Sequence, residues 1–264
     1  MSGILFLAHR LPFPPDRGDK IRSHHVLKAL ARLAPVHVGC FAESVADRQH
    51  EHELAQVAAS HCMPLRRKPL VLAGVEALVR NEPVSLAAFR HAGLQRWVNG
   101  VLATGDIDTA YLFSGQMGQY LSREWPGRVI ADLVDVDSAK FEAYAAQGRG
   151  VARWVNRREA RLLAREEARL AERAERTLLV SEAEAALLRS RAPGARSIEA
   201  LGNGIDAALY DPASVTAHAG VRDLPGPHLL FTGQMDYAPN VAAALRTIER
   251  LLPAIRAVHP DAMF

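Results

Sequence analysis

Gly3-Ile-Leu-Phe-Leu-Ala8 is a run of six residues without a single polar or charged side chain. A strand with one wet face alternates apolar and polar residues. A strand covered on both faces does not, so this run predicts a central strand of a parallel sheet. Working outward, a proline-rich loop from Arg10 to Asp19 leads into a helical pattern from about Lys20 to Leu33, with Ile21, Leu27 and Leu30 on its apolar face. Val36–Phe41 reads as a second strand, followed by a polar helix over roughly Val45–Ser60 and a short strand near Met63–Leu65. Helical stretches flank Asn81-Glu-Pro83, and strand-like runs recur at Thr109–Phe113, Arg128–Leu133, Arg176–Val180 and Ser197–Leu201. Strands alternating with helices imply right-handed crossovers, hence an α/β fold with a doubly wound, Rossmann-like parallel sheet. Ligands of such sheets lie beyond the carboxyl ends of the strands.

Prolines 212, 225 and 227 break any regular pattern after Asp206, so residues 1–206 read as the first domain and 207–227 as a linker. A fresh strand at His228–Thr232 and a helix over about Asn240–Val258 then open a second Rossmann-like unit, residues 228–264. One strand and one helix cannot bury both their apolar faces, so this second domain is expected to be truncated.

Of 264 residues, 49% are hydrophobic and 23% charged, a composition that supports a packed core and excludes a disordered chain. The net charge of +3 comes without a basic block, so nucleic acid is not an expected partner. The apolar start is too short for a signal peptide. Leu70–Val79, interrupted by Gly74 and Glu76, falls far short of the ~20 residues that span a bilayer. The expected compartment is the cytoplasm, where Cys40 and Cys62 stay reduced.

Residues 149–176 hold nine arginines and five glutamates. Arg149, Arg153, Arg157, Arg161, Arg165, Arg169 and Arg173 recur every four positions, while Val151, Trp154, Val155, Leu162, Leu163 and Leu170 form an apolar stripe. Two readings stay open: peripheral attraction to the anionic inner face of a membrane, or a solvated helix face neutralised by its own glutamates.

Four places suit chemistry. Gly18, in the loop between the first strand and the first helix, lets backbone approach a ligand where helix N–H groups meet phosphate; a proline-stiffened turn is the alternative. Neither G-x-G-x-x-G nor a P-loop is present there, which disfavours nicotinamide and flavin enzymes. Asp132, Asp135 and Asp137 follow a strand, where carboxylates accept protons or orient sugar hydroxyls, and Asp137 equally suits a helix cap. Ser181-Glu-Ala-Glu184 and Gly202-Asn-Gly204 follow two further strands, the former as cap or ligand contact. His50 and His52 diverge on a helix, and beside His61 and Cys62 they lack zinc spacing, so no metal is expected.

Pro14-Pro15-x-x-Gly18-x-x-x-Arg22, Val180-Ser-Glu-x-Glu184, Gly202-Asn-Gly-Ile-Asp206 and Phe231-Thr-Gly-Gln-Met-Asp-Tyr-Ala-Pro-Asn240 occur in that order. Together they resemble GT-B glycosyltransferases of the glycosyl-transferase group 1 (family 4) type, most of all the sugar transferases of exosortase (PEP-CTERM) and exopolysaccharide systems. The resemblance implies two Rossmann-like domains facing a cleft, the first gripping a glycan or lipid-linked acceptor and the second holding most of a nucleotide-sugar donor. It also implies retention at the anomeric carbon, no metal and no cofactor. Carried onto this chain, it makes Gly18, Arg22, Ser181, Asn203, Gly204 and Gln234 substrate-binding positions and Asp135 or Asp137 the catalytic carboxylate. Many members carry arginine and lysine where this chain has Gln234 and Pro239-Asn240, and the glutamate-rich donor motif is missing, so the chain alone is not expected to transfer sugar. Two other classes remain: a non-catalytic nucleotide- or sugar-binding module on the same scaffold, and a membrane-docking protein built around the arginine-rich helix.

Overall fold

The computed structural model describes residues 2–216, 218–235 and 238–264; Asp236 and Tyr237, within the fourth of the resembling segments, lie outside them. The chain divides into two compact units, Met1–Gly204 and Ile205–Phe264.

The first unit contains seven strands: β1 (Gly3–Ala8), β2 (Val36–Gly39), β3 (Ser60–Cys62), β4 (Ile107–Phe113), β5 (Arg128–Val134), β6 (Arg176–Leu179) and β7 (Ile198–Ala200). They form one sheet in the order β3-β2-β1-β4-β5-β6-β7, and every pairing is parallel. This is a Rossmann-like arrangement, with the order reversing between β1 and β4. Eight α-helices accompany it: α1 (Gly18–Leu30), α2 (Glu51–Val57), α3 (Leu70–Arg80), α4 (Val84–Ala88), α5 (Ala92–Ala103), α6 (Asp137–Gln147), α7 (Gly150–Arg173) and α8 (Glu182–Arg191).

All six residues of β1 are buried, and their alternation divides them between two cores. Ile4, Phe6 and Ala8 pack with Val36, Val38, Tyr111 and Phe113 under Leu27 of α1 and Leu54 of α2. Leu5 and Leu7 face the other layer, with Leu94 and Val98 of α5, Leu112 of β4 and Leu170 of α7. Burial on both faces is why β1 tolerates no polar residue.

Several expected elements shift. The third strand is Ser60–Cys62 rather than Met63–Leu65, because Pro64 has no N–H to give a ladder. The polar helix divides into a 3-10 turn, Ala46–His50, and α2. Helix α1 starts at Gly18, two residues earlier than expected. Its buried face is mostly polar (Lys20, Arg22, Ser23 and His24, with Leu27), and Ile21 is only half-buried. The apolar stripe of α7 also divides: Leu162, Leu163 and Leu170 are buried, while Val151, Trp154 and Val155 are exposed.

The second unit contains short helices α9 (Ala219–Arg222), α10 (Ala238–Arg246) and α11 (Leu252–Arg256), the last two joined through a π-helical turn, Thr247–Leu251. The strand expected over His228–Thr232 is a single parallel bridge between His228 and Met263. Leu229 N–H donates to Met263 O at 2.8 Å and Met263 N–H to Pro227 O at 3.0 Å. Among the described residues no longer ladder pairs with this run, and without a ladder an extended apolar segment is not a strand.

No described helix is long and apolar enough to cross a membrane.

Candidate functional site

Because every strand is parallel, the segments after β1, β4, β5, β6 and β7 all emerge at one edge of the sheet. Gly18, Asp135, Asp137, Ser181, Asn203 and Gly204 belong to those segments or the helices they open, so topology alone puts them on the same side.

The tie across that edge is Arg22. Its Nε and Nη2 donate to the two carboxylate oxygens of Asp132 at 2.9 and 3.0 Å, a bidentate pair in which both side chains are buried. Tyr111 Oη donates to the same carboxylate at 2.7 Å. The remaining Nη1 of Arg22 donates to Leu201 O at 2.6 Å and to Asn203 Oδ1 at 3.1 Å. The first and third resembling segments are therefore joined through one guanidinium, which is wholly engaged within the protein. Burying Asp132 beside Tyr111 pushes the tyrosine hydroxyl well above its ordinary value, first by desolvation and then through the neighbouring charge.

Asp135 and Asp137 line a cleft with Gly115, Gln116, Leu133 and Glu167. Its enclosed room is about 20 Å³, enough for a water. Burial raises the Asp137 carboxyl above the usual aspartate value, against the pull of Lys140 and His9. Asp135 is raised too, by partial desolvation and by Glu184 and Asp137, with Lys140 and Arg22 opposing. Asp137 is the first residue of α6 rather than its cap, the cap position being Val136. Ser138 N–H donates to Glu167 at 2.9 Å, and Val136 N–H to Glu184 at 2.7 Å. Ser181 caps α8 by accepting from Glu184 N–H at 3.3 Å.

Two non-glycine residues at this edge hold left-handed backbone. Ser114 follows β4 with φ 79°, and Val134 ends β5 with φ 69°. The second is β-branched, for which this region is a genuine outlier, and it coincides with a register shift between Asp132 and Val134. Strain of this kind costs about 1–3 kcal/mol and gathers at functional sites. Here it turns the chain immediately before Asp135.

Gly18 opens α1, and a Cβ built on it would meet nothing within 4 Å, so the space above it is free. The same holds for Gly204. Beside Gly18, Asp19 accepts from Arg10 at 2.6 Å and lies 3.4 Å from His9 Nε2. Burial would raise its carboxyl, but His9 and Arg10 outweigh that and hold it well below the usual range. Gln234 belongs to the second unit, where its backbone oxygen accepts from Asn240 at 3.0 Å.

His9, Ser114 and Val134 carry no motif and are not legible as site residues. His9 follows β1 at the point where the strand order reverses. Its ring stacks on Phe113 at 5.9 Å, and its Nδ1 is buried without a hydrogen-bond partner among the described residues. The available signal was positional, the first residue beyond a buried strand. Of the histidines weighed for a metal, His50 pairs with Glu53 at 2.6 Å and His61 with Glu51 at 3.0 Å. Among the described residues no group of three or more His, Cys, Asp or Glu is arranged to hold a metal ion.

No family model matches the chain, and no curated protein matches it.

Proposed function

We propose that residues 1–206 are the acceptor-side domain of a GT-B glycosyltransferase that moves a sugar from a nucleotide-sugar to a glycan or lipid-linked acceptor in exopolysaccharide biosynthesis, with retention and without a metal. The observation that carries this reading is the Arg22 junction. Two of the resembling segments, 179 and 181 residues apart at their contacts, interlock at the carboxyl edge of the sheet, where a Rossmann-like fold receives ligand. In this proposal Arg22 holds the Leu201–Asn203 backbone in place for substrate, and Gly18 and Gly204 leave room for it.

Asp137, with its carboxyl raised, is the candidate to accept or share the acceptor hydroxyl proton, and Asp135 orients a neighbouring hydroxyl. As the glycosidic bond breaks, the nucleoside diphosphate gains negative charge, and N–H groups at the start of α1 would be suited to meet it. Residues 228–264 are proposed to belong to the donor side, with Gln234 in a loop there.

The test is transfer by the longest natural form of the protein, with a panel of uridine, guanosine and thymidine diphosphate sugars and a lipid-linked acceptor. Turnover that Asp137→Asn abolishes supports the proposal. Saturable nucleotide-sugar binding with no turnover assigns a binding module instead, and neither binding nor turnover removes both readings.

A further inference from the structure

Helix α3 is turned inside out. Ala73 and Ala77 pack against Ala87 and Ala88 of α4, so the small residues face the protein. At about 100° per residue, Val71, Leu72, Val75, Leu78 and Val79 fall on an arc opposite those alanines. They are 78, 60, 55, 54 and 83% exposed. A surface helix ordinarily presents its large apolar side chains to the core, and a contiguous exposed patch of them marks an interaction surface.

The start of α7 lies beside the end of this helix. Arg158 donates to Ala77 O at 2.7 Å and to Glu82 O at 3.2 Å, and Glu159 accepts from Val84 N–H at 2.9 Å. The turns preceding this anchor expose Val151 and Trp154 together with Arg149, Arg153 and Arg157. Of the five glutamates that seemed to neutralise this helix, three meet partners outside it and one pairs with an arginine further along it. Glu159 holds the start of α4, Glu167 holds Ser138, Glu166 pairs with Arg169, and Glu175 pairs with Arg128. Among the described residues, no carboxylate pairs with Arg149, Arg153, Arg157 or Arg161.

We propose that α3 and the first turns of α7 dock on an anionic phospholipid bilayer, the aliphatic face of α3 entering the upper acyl region and the α7 arginines meeting headgroups. Eleven residues make a helix of about 16 Å, too short to span and suited to lying in the interface. Charge selects the occupant. A two-fold contact between copies through this face would bring the same arginines together, whereas anionic headgroups complement them.

The experiment is sedimentation of the full chain with vesicles of phosphatidylcholine alone or mixed with phosphatidylglycerol. Binding is expected to the mixed vesicles only, and to weaken with salt. Combined Val71→Ser, Val75→Ser and Val79→Ser substitution should reduce binding on the order of 100-fold, and Arg153→Ala or Arg157→Ala about fivefold each. As a check independent of that triple variant, Val75→Trp should show a blue-shifted emission on mixed vesicles. No binding to mixed vesicles, binding unchanged by the triple variant, or unmoved Val75→Trp emission would overturn the proposal. So would a concentration-dependent dimer that Val75→Ser dissolves, since that assigns the face to a second copy.

Discussion

Arg22 and Asp132, 110 positions apart, form a bidentate ion pair with contacts of 2.9 and 3.0 Å, closed off from solvent and completed by Tyr111. A buried pair of this kind is weak as a source of net stability but severe when halved, because the survivor keeps its charge without a partner.

Arg22→Met should therefore lower unfolding free energy by about 3–5 kcal/mol, measured by urea titration. Arg22→Met combined with Asp132→Leu should be less damaging than Arg22→Met alone. Equal losses for the single and double variants would mean the pair is not the coupled unit described here.

Asp137 makes an opposite prediction. Its folded carboxyl is raised, so the native state holds its proton more tightly than the unfolded chain. The ionised form then counts against folding as pH rises through the unfolded value toward the folded one. Asp137→Asn should raise stability at neutral pH by about 0.5–2 kcal/mol, and under the proposed function it should also abolish transfer. The gain should shrink in acid, which denaturant titrations at several pH values would read directly.

Glu76 behaves the other way. Hydrogen bonds from Lys68 and Arg90 lower its carboxyl from 4.5 to about 2. Its contribution is present above the unfolded value and lost as pH falls toward about 2. Glu76→Gln should be less stable than the natural protein at neutral pH, and the two should converge near pH 2; a gap that persists there would point to lost packing instead.

Gly18→Val should leave stability within about 0.5 kcal/mol, because its Cβ meets open space and its backbone is outside the left-handed region. Ligand affinity should fall sharply, since the added side chain occupies the space above the start of α1. Unchanged affinity in calorimetric titration would reduce Gly18 to a turn residue.

Residues 201–216 are exposed without interruption, and both large hydrophobic cores lie within Ile4–Ile198. Chymotrypsin is expected to cut at Leu209 or Tyr210 first and to leave a folded fragment of the first unit. Early cleavage inside α5 or α7 would contradict that division.

The sequence by itself determined the parallel sheet and most of its strands, because burial on both faces removes polar residues from β1 and leaves a pattern readable over six positions. It also determined the reach of α7, since a helix repeats within a few residues. Tertiary structure alone decided which partner each charged group meets. The buried face of α1 looks unpromising in sequence, because Lys20, Arg22 and Ser23 belong on a surface until Asp132, far along the chain, arrives to receive Arg22. Val134 gave no sign that it would turn left-handed, as that conformation is imposed by the surrounding chain and not by a β-branched residue. A helix before Asn81 and the apolar run Leu70–Val79 were both read in the sequence, but the direction of that run was not. Periodicity shows that a helix has an apolar face, and only packing against the alanines of α4 decides whether that face looks inward or out.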